Sequence, residues 1–405
     1  ISATLPLVQP AKCLLLDVSA TCRNDIKTGI ERVARALVLA LLESPPAGYR
    51  IETVYLSDIG GVWHHRYARS YTLGLLGCPV VALKDEPIDP TNGDVLLSLD
   101  LSGDVFVQAE RSGLFRDYRN RGVSVYATVF DLLPVRLPEV FPPGADQTHQ
   151  RWLEAITKLD GAVCISKAVA DDLLTWQDGK GVTLESHRPF SIDWFHLGAD
   201  VANTAPSVGL PDDTEWTLAQ LHARPSFLLV GTIEPRKGYL QTIEAFSQLW
   251  NKGINVNLVI VGAEGWKGLP NDMRRDIPET VDRLRSHPEL NKRLFWLEGI
   301  SDEYLEKVYQ SSSCLIAASY GEGFGLPLIE AAQHKLPIIA RNIPVFHEVA
   351  GSHAFYFDGS SVEEFSEAIH VWLEMYKTDT HPKSDSLPWL AWKASAQQLM
   401  DTLDI

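Results

Sequence analysis

The chain has 405 residues, with 36 basic and 52 acidic side chains and a net charge of −16. That length predicts two domains rather than a single core, and the acidic balance argues against a nucleic-acid-binding protein. No apolar run is long enough for a transmembrane helix. The five cysteines form no CxxC pair, so neither a disulfide framework nor a zinc site is indicated and a reducing cytoplasm is expected. The chain begins with Ile1 rather than methionine, so we expect its natural start to lie upstream.

Short apolar segments alternate with helical patterns through the first half of the chain. The apolar segments predict strands at 13–18, 51–56, 94–99, 123–130, 161–165 and 192–197. The amphipathic stretches between them predict helices at 29–42, 104–119, 146–159 and 167–176. The rhythm stops at 199–225, a polar stretch with three prolines that predicts an interdomain linker.

The same alternation resumes in the second half and predicts an α/β protein. Strands are expected at 226–230, 256–261, 293–297, 314–318, 337–340 and 354–357, and helices at 238–251, 278–286, 301–311, 326–334, 361–376 and 387–403. Such alternation indicates parallel sheets covered by helices on both faces. We therefore expect two Rossmann-like, doubly wound domains, 1–200 and 201–385, facing each other across a cleft. The C-terminal helix (386–405) would pack back on the first domain.

Ligands of such sheets bind beyond the carboxyl ends of the strands, so the loops after strands carry the candidate sites. One loop, in SYGEGFGLPLIEAAQ, holds Gly321, Gly323 and Gly325, with Glu322 inside the turn and Glu330 in the following helix. The helix start offers free N–H groups to an anion. An ordinary strand-to-helix turn with two surface glutamates explains the residues equally well. The GxGxG spacing differs from the dinucleotide fingerprint, which argues against a dehydrogenase.

A second loop, in FLLVGTIEPRKGYLQTIEAF, places Gly231 after a strand and Arg236 and Lys237 just before a helix. Basic side chains at a helix start oppose the helix dipole, and a bound anion removes that conflict. A diphosphate held by the Arg and Lys side chains is therefore favoured over a solvated basic pair. A third loop, in LVIVGAEGW, places Gly262 where the backbone can approach a nucleotide closely.

The first half contributes weaker candidates. Gly29 lies where a long polar loop meets a helix, a position that suits close approach by a phosphate or a sugar. Asp131 ends a strand and is a candidate contact for a sugar, although a turn-capping role is equally compatible. A basic cluster on or after the helix 104–119 could meet lipid phosphates, but a solvated helix face is the commoner meaning; its members are Arg111, Arg116, Arg119 and Arg121.

Taken in chain order, these loops resemble glycosyltransferase family 4, whose members are retaining enzymes with the GT-B fold. The most specific match is the spacing of Glu322 and Glu330 in EGFGLPLIE, and VGTIEPRKGYLQTIEAF, LVIVGAEGW and IIARNIPVFHEVAGSHAFYFD follow the order of the family. The N-terminal stretches TGIERVARAL, FDLLPVRLPEVF and CISKAVADDL match more loosely. They are similar to bacterial enzymes that build surface polysaccharides, often mannosyl- or rhamnosyltransferases.

The resemblance implies catalytic roles at the matching positions. Arg236 and Lys237 would hold the donor diphosphate and stabilise it as it leaves. Glu322 would lie near the hydroxyls of the donor sugar, and Asp131 aligns with an aspartate near that sugar. Many members carry a histidine just before this aspartate, whereas this chain has Phe130.

The resemblance also implies that the first domain, 1–200, binds the acceptor and that the second, 201–385, binds the nucleotide sugar. It implies the following nucleotide-sugar-binding positions. Glu330 would bind the ribose hydroxyls, and Gly29 would lie near the phosphates or the acceptor. The other positions are on the loops after strands of the second half: Gly231, Gly262, Gly323, Phe324, Gly325 and Leu326.

The expected function is a retaining hexosyltransferase that moves mannose from GDP-mannose to a glycan or lipid-linked oligosaccharide acceptor during surface polysaccharide synthesis. No metal or other cofactor is expected, because the chain contains no D-x-D motif for a metal clamp on a diphosphate. The enzyme would be cytoplasmic, with weak peripheral contact at the inner face of the cytoplasmic membrane as an additional option.

Two other functions fit the same fold. A nucleotide-sugar epimerase would convert its donor without any acceptor, although no acid–base set for it is evident around the sugar position. A non-catalytic nucleotide- or carbohydrate-binding module would bind a nucleotide without turnover.

Overall fold

The computed structural model describes residues 11–23, 29–79, 83–180, 189–200, 207–359 and 361–405. Its strands are β1 (Lys12–Asp17), β2 (Tyr49–Ile59), β3 (Val62–Tyr67), β4 (Val95–Ser98), β5 (Ser124–Val129), β6 (Gly161–Cys164), β7 (Ser191–Trp194), β8 (Ser226–Val230), β9 (Asn257–Val261), β10 (Leu294–Leu297), β11 (Cys314–Ala317), β12 (Ile338–Arg341) and β13 (Phe355–Phe357). Its α-helices are α1 (Ser19–Arg23), α2 (Gly29–Glu43), α3 (Arg69–Leu75), α4 (Gly103–Arg111), α5 (Leu114–Asn120), α6 (Leu133–Arg136), α7 (Ala145–Ile156), α8 (Lys167–Lys180), α9 (Thr214–His222), α10 (Tyr239–Asn251), α11 (Ile277–Ser286), α12 (Asp302–Ser311), α13 (Leu326–Gln333), α14 (Pro344–Ala350), α15 (Val362–Lys377) and α16 (Trp392–Thr402).

These elements form two compact units, each with its own sheet. The first unit contains the described residues up to 130, together with 148–200 and 390–405. Its sheet has the strand order β3-β2-β1-β4-β5-β6-β7 and is parallel except for the antiparallel β2–β3 hairpin. Strands β4 and β6 are buried along their whole length, as expected for parallel strands covered by helices on both faces.

The second unit contains 131–147 and 207–389, and its sheet is parallel throughout, with the order β10-β9-β8-β11-β12-β13. The chain runs outward from β8 through β9 to β10, then returns to β11 on the other side of β8. The point where the strand order reverses, between β8 and β11, is where ligands bind in doubly wound sheets.

Aromatic packing fixes the helices of the second unit on its sheet. Phe227 of β8 is fully buried, with ring centroids 5.4 Å from Phe246 of α10 and 5.3 Å from Trp372 of α15. Both pairs meet edge to face, the arrangement that the charge distribution of aromatic rings favours. These contacts hold α10 and α15 on the sheet at β8.

Each of the predicted strands overlaps a strand of the structure, and the α/β fold class is confirmed. One local prediction was wrong, and two elements were missed. The helix expected at 104–119 is divided into α4 and α5, because Gly113 has φ of 87°. The boundary between the two units falls within the expected linker, whose residues 201–206 lie outside the described part of the chain. The sequence did not predict α9, which packs on α12, or β3, whose residues WHHRY alternate poorly.

The segment 131–147, assigned to the first domain from the sequence, clusters with the second unit. The guanidinium of Arg275 donates to the carbonyl oxygens of Phe141 at 2.6 Å and Pro138 at 3.0 Å. Leu133 packs closely against Gly321. A Cβ added at Gly321 would lie only 2.5 Å from the Leu133 side chain. Hydrogen bonds and close packing thus attach this segment to the second unit.

The C-terminal helix α16 packs on α2 in the first unit. The backbone N–H of Trp392, a fully buried residue, donates to Asp200 at 2.6 Å. The hydroxyl of Ser395 donates to the carbonyl oxygen of His196 at 2.7 Å. The boundary lies near 390, so residues 386–389 belong with the second unit.

The four arginines considered for membrane contact do not form a free basic patch. Arg119 is mostly buried and pairs with Asp160 at 3.1 Å. Arg121 forms an ion pair with Asp89. Only Arg111 and Arg116 are exposed without an acidic partner among the described residues. Within the described ranges, no helix combines the length and apolar character needed to cross a bilayer.

Candidate active site

The candidate catalytic side chains converge at the reversal point of the second sheet. Arg236 and Lys237 lie in the 3₁₀ turn Pro235–Lys237, which connects β8 to α10. Glu322 lies in the loop that connects β11 to α13. Because β8 and β11 are adjacent parallel strands, both loops leave the same edge of the sheet and bring the side chains together.

Glu322 binds both cations at once. Its Oε2 accepts from Nη1 of Arg236 at 3.0 Å, and its Oε1 accepts from Nζ of Lys237 at 2.5 Å. Ser319 donates its hydroxyl to the same Oε1 at 2.7 Å. The side chains of Glu322, Lys237 and Arg236 are 11%, 16% and 18% exposed, so the pairs are shielded from most solvent.

The pairing keeps the carboxylate and the guanidinium ionised despite burial. Burial opposes ionisation of Glu322, but the charges of Lys237 and Arg236 lower its pKa to about 2. Burial likewise opposes the charged form of Arg236, but Glu322, Glu234 and Asp131 outweigh it and raise its pKa. The site therefore holds fixed charges over the whole physiological pH range.

Hydrogen-bond donors remain for a ligand. Arg236 uses Nε for Glu234 at 2.9 Å and Nη1 for Glu322, whereas within the described residues no acceptor contacts its Nη2. The ammonium of Lys237 has three protons and one short bond to Glu322. An anion can thus bind these cations without displacing Glu322.

Glycines bring the two loops into contact. Gly238, with φ of 72°, follows Lys237, and a Cβ there would lie 2.6 Å from the carbonyl oxygen of Ala318 at the end of β11. A Cβ on Gly262 would lie 1.8 Å from the carbonyl oxygen of Gly231, so no other residue fits. The backbones of Gly231 and Gly262 therefore lie very close to each other. The hydroxyl of Tyr239 donates to Gly231 at 2.5 Å.

Asp131 belongs to the same electrostatic environment. It lies at the start of the segment 131–147 and contributes to the raised pKa of Arg236. Its Oδ1 also accepts the backbone N–H of Leu133 at 3.0 Å, which holds the turn into α6. Both meanings considered from the sequence, a site residue and a turn residue, are compatible with this position.

Glu330 lies in α13 and is buried. Its Oε2 accepts from the hydroxyl of Tyr309 at 2.9 Å, and the ring of Tyr309 stacks on His334 at 5.2 Å. Tyr309 therefore orients the Glu330 carboxylate.

The remaining predicted positions occupy two places. In the second unit, Gly323 and Phe324 are buried in the loop before α13, Gly325 ends that loop with φ of 97°, and Leu326 begins the helix. Gly29 begins α2 in the first unit, where it is exposed. Residues 24–28 of its preceding polar loop lie outside the described part of the chain.

Sequence reasoning missed a buried cation beneath the site. Arg341, at the end of β12, donates to the carbonyl oxygens of Ala318 at 2.9 Å and Gly359 at 2.6 Å and to Gln241 at 2.5 Å. Its guanidinium lies 4.2 Å from the ring centroid of Tyr320. Burial lowers its pKa, and no carboxylate pairs with it among the described residues.

Arg341 holds the segment that carries the site. Ala318 and Tyr320 flank Ser319, which binds Glu322, and the backbone N–H of Tyr320 donates to the carbonyl oxygen of Arg236 at 2.8 Å. An arginine closing the apolar strand IIAR was the sequence signal for this role. Glu234, two residues before Arg236, was also missed and could have been noticed from the alternating charges in IEPRK.

Comparisons with known proteins agree with this geometry. Residues 215–385, which include Arg236, Lys237, Glu322 and Glu330, match the family described as glycosyl transferases group 1. A serotype-specific mannosyltransferase of Escherichia coli, WbdA, is 40% identical over 398 residues, which cover 98% of this chain and 47% of that protein. The chain thus spans about half the length of the curated WbdA relatives that it matches. The O-antigen chain mannosyltransferase RfbU of Salmonella typhimurium is 29% identical over 35% of this chain and 37% of its own length.

Solved structures share the fold at low sequence identity. The crystal structure of Anabaena HepE in complex with UDP has a TM-score of 0.60 at 15% identity and covers 97% of this chain and 99% of its own. Sucrose-phosphate synthase from Thermosynechococcus elongatus has a TM-score of 0.64 at 16% identity, with 97% and 98% covered. The match to the group 1 glycosyl transferases thus lies in residues 215–385, and the predicted GT-B fold is confirmed.

Proposed function

We propose that the chain is a retaining mannosyltransferase that moves mannose from GDP-mannose to a glycan acceptor in O-antigen synthesis. The 40% identity to WbdA, a mannosyltransferase by name, supports the sugar and the process. The site supports the reaction class, because transfer from a nucleotide sugar requires stabilisation of a leaving diphosphate.

The observation that carries this proposal is the pairing of Arg236 and Lys237 with one buried glutamate. Glu322 fixes both cations in place and leaves Nη2 of Arg236 and two protons of Lys237 for further acceptors. Cations positioned before the reaction need no reorganisation when charge develops on the leaving group. This preorganisation favours a catalyst over a module that only binds nucleotides.

In the proposed reaction, the anomeric C–O bond breaks and its electron pair passes to the leaving diphosphate. The acceptor hydroxyl attacks from the same face and forms the new C–O bond, and its proton passes to the departing phosphate oxygen. Arg236 and Lys237 stabilise the diphosphate, while Glu322 orients them and lies near the donor sugar. Same-face attack accounts for retention without a covalent intermediate on the protein.

We assign the rest of the donor site by the same logic. Glu330, oriented by Tyr309, binds the ribose hydroxyls. The loop that contains Gly323, Phe324 and Gly325 and the start of α13 at Leu326 form the wall against the nucleotide sugar. Gly231 and Gly262 allow the two strand ends to approach it, Asp131 contacts the sugar, and Gly29 lies near the phosphates or the acceptor.

We further propose that the transfer requires no metal. Two cations already face the diphosphate position, and the chain has no D-x-D motif. The acceptor is a glycan, free or lipid-linked, and the reaction takes place in the cytoplasm. The five cysteines are free thiols, as is common in a reducing compartment.

The test is transfer of radiolabelled mannose from GDP-mannose to a synthetic mannose-terminated acceptor, with the anomeric configuration of the product read by NMR. We expect an α-linked product from the α-linked donor and activity that persists in EDTA. An inverted product would contradict retention, and activity lost in EDTA and restored by Mn²⁺ would contradict metal independence. New nucleotide sugar formed without acceptor would instead identify an epimerase.

A further inference from the structure

The first unit has a groove that the proposed chemistry does not use. The groove lies between the β2–β3 hairpin, α1 and α3 and has a volume of about 780 Å³. Sites for small molecules commonly enclose 300–1,000 Å³. Six of its lining residues combine aromatic rings with hydroxyl and carboxylate groups: Tyr55, Ser57, Asp58, Trp63, Ser70 and Tyr71.

The aromatic rings suit the apolar faces of a sugar. Tyr55, Trp63 and Tyr71 are each half-buried, so part of each ring surface is available in the groove. Aromatic side chains offer a large apolar surface together with a polar group at one end. A pyranose has the matching composition, with C–H groups on its faces and hydroxyls around its rim.

The polar groups of the groove are available to a ligand. Within the described residues, no hydrogen bond or ion pair engages the side chains of Ser57, Asp58 or Ser70, or the hydroxyl of Tyr55. Asp58 is exposed on the hairpin, directly opposite Trp63 in the strand register. A carboxylate can accept hydrogen bonds from two neighbouring sugar hydroxyls beside the Trp63 ring.

The charges of the groove disfavour an anionic ligand. Its charged side chains are Arg23, Asp58 and Asp85, which sum to −1. The guanidinium of Arg23 already donates to the carbonyl oxygen of Leu56 at 2.9 Å. Oδ1 of Asp85 accepts the backbone N–H of Arg69 at 3.0 Å. A neutral ligand rich in hydroxyls therefore fits better than a phosphate.

Buried hydrogen bonds hold the frame of the groove. The hydroxyl of Ser19 donates to Asp17 at 2.5 Å and accepts the backbone N–H of Leu56 at 2.6 Å, which fastens β2 to α1. Leu56 and His65 face each other across the hairpin and are fully buried. A preformed frame spares a ligand the entropic cost of ordering the hairpin.

We propose that this groove is a saccharide-binding site for a neutral oligosaccharide, in which Trp63 is the stacking surface and Asp58 accepts sugar hydroxyls. The further identification of that oligosaccharide as the glycan to be extended rests on the proposed function. The groove then supplies affinity for the glycan through contacts that belong to the first unit alone.

The test is titration of the full chain with α-linked mannotetraose, followed by calorimetry and saturation-transfer NMR. We expect Trp63→Ala and Asp58→Asn to weaken binding by about tenfold or more, because each removes a principal contact. Matched controls are Trp216→Ala and Asp212→Asn, both exposed in the second unit, and neither should change binding. Asp58→Asn changes an exposed side chain without changing its size, so the test stands even if Trp63→Ala fails to fold.

Unchanged mannotetraose affinity in both groove variants, or equal losses in the controls, would overturn the proposal. Transfer assays separate the site from the reaction. We expect Trp63→Ala to raise the KM for the acceptor while the KM for the donor and the affinity for GDP stay constant. If the chain binds the glycan through Trp63 but shows no turnover, the proposed function is refuted and the saccharide-binding site is supported. Normal turnover with an unchanged acceptor KM would refute the acceptor role and keep the function.

Discussion

The two units use charge in opposite ways. In the second unit, Arg236, Lys237 and Glu322 are mostly buried and form ion pairs with one another at the reversal point of the sheet. In the first unit, the groove beside the β2–β3 hairpin exposes aromatic rings and unpaired hydroxyls and carries a charge of only −1. The difference follows the chemistry proposed for each: a diphosphate requires fixed cations, and a glycan requires ring faces and hydroxyl partners.

A buried cation pair at a sheet edge indicates a catalytic site more strongly than an open groove does. Burying charges is costly unless they are paired and hydrogen-bonded. The second unit meets that cost with Glu322, Glu234 and Ser319 around two cations. In the groove of the first unit, Asp58 is exposed, so its charge carries no such cost.

The largest effect expected is on the rate. Arg236→Ala and Lys237→Ala should each lower the transfer rate by about two orders of magnitude or more, because each removes a donor to the developing diphosphate charge. Stopped-time assays with GDP-mannose and a mannose acceptor measure it. Lys252→Ala, which removes an exposed lysine after α10, is the control and should retain the normal rate. Near-normal rates for both site variants would refute the proposal that Arg236 and Lys237 stabilise the leaving diphosphate.

The pH dependence of stability tests whether Glu322 is paired as described. Its pKa is about 2 in the folded chain against an ordinary 4.5, so the pairing stabilises the fold above pH 4.5 and is lost as the pH falls toward 2. Glu322→Gln should therefore cost about 3 kcal/mol of unfolding free energy at pH 7, because it leaves the mostly buried Lys237 without an acidic partner and Arg236 with Glu234 alone. Urea titrations at pH 7, 5, 4 and 3 should show this difference shrinking below pH 5.

The control for that series is Glu215→Gln, an exposed position in α9. Its unfolding free energy should match that of the parent chain at every pH. A difference between Glu322→Gln and the parent chain that is constant from pH 7 to pH 3 would show that Glu322 is not held ionised by the two cations.

Nucleotide affinity distinguishes the role of Glu330 from that of Glu322 within the second unit. Glu330→Ala should weaken binding of GDP by about tenfold or more, because hydrogen bonds to a charged group contribute 1.5–3 kcal/mol. Tyr309→Phe should have a smaller effect in the same direction, since it removes the bond that orients Oε2. Glu322→Ala should mainly lower turnover. Calorimetry with GDP decides it: the ribose role is refuted if Glu330→Ala binds GDP as tightly as the parent chain.

The charged site of the second unit and the groove of the first unit also differ in how well the sequence predicts them. The convergence of Glu322, Lys237 and Arg236 was predictable because all three follow buried strands, and the loops after adjacent parallel strands such as β8 and β11 leave the same edge of the sheet. Arg341 was not, because its partners Ala318, Gly359 and Gln241 come from three separate segments.

The groove of the first unit was not predicted either. Its residues Tyr55 and Trp63 lie on an antiparallel hairpin whose second strand, WHHRY, has no clear alternation of apolar and polar residues. Ring surfaces and free hydroxyls leave no spacing pattern in a sequence. Only the pairing register of β2 and β3 shows that Asp58 and Trp63 are opposite each other.

A smaller effect is expected at Arg341. Arg341→Lys keeps the charge but loses the planar fork that reaches Ala318 and Gln241 together. The segment 318–320 should then shift by a fraction of an ångström. A misplacement of about 1 Å can lower a rate by about a hundredfold, so we expect this smaller shift to lower it by about tenfold. We expect kcat to fall while the affinity for GDP is retained. A loss of GDP affinity without a change in kcat would place Arg341 in nucleotide binding instead.

The smallest expected effect is on membrane binding and involves basic residues of the first unit. Each basic residue near an anionic surface contributes about 1 kcal/mol. Arg119 and Arg121 are paired with Asp160 and Asp89, which leaves Arg111 and Arg116 as the exposed unpaired pair of the cluster. Two such residues contribute about 2 kcal/mol, and the overall charge of −16 opposes it.

We therefore expect co-sedimentation with anionic vesicles to be weak at low salt and to vanish at physiological ionic strength, where charges are screened beyond about 8 Å. The double variant Arg111→Ser/Arg116→Ser should abolish the low-salt binding. The pair of Phe115 and Tyr118 cannot add apolar contact, because both side chains are buried. Binding that survives physiological salt, or that the double variant retains, would show that another surface contacts the membrane and that the exposed charges of the first unit are solvated rather than functional.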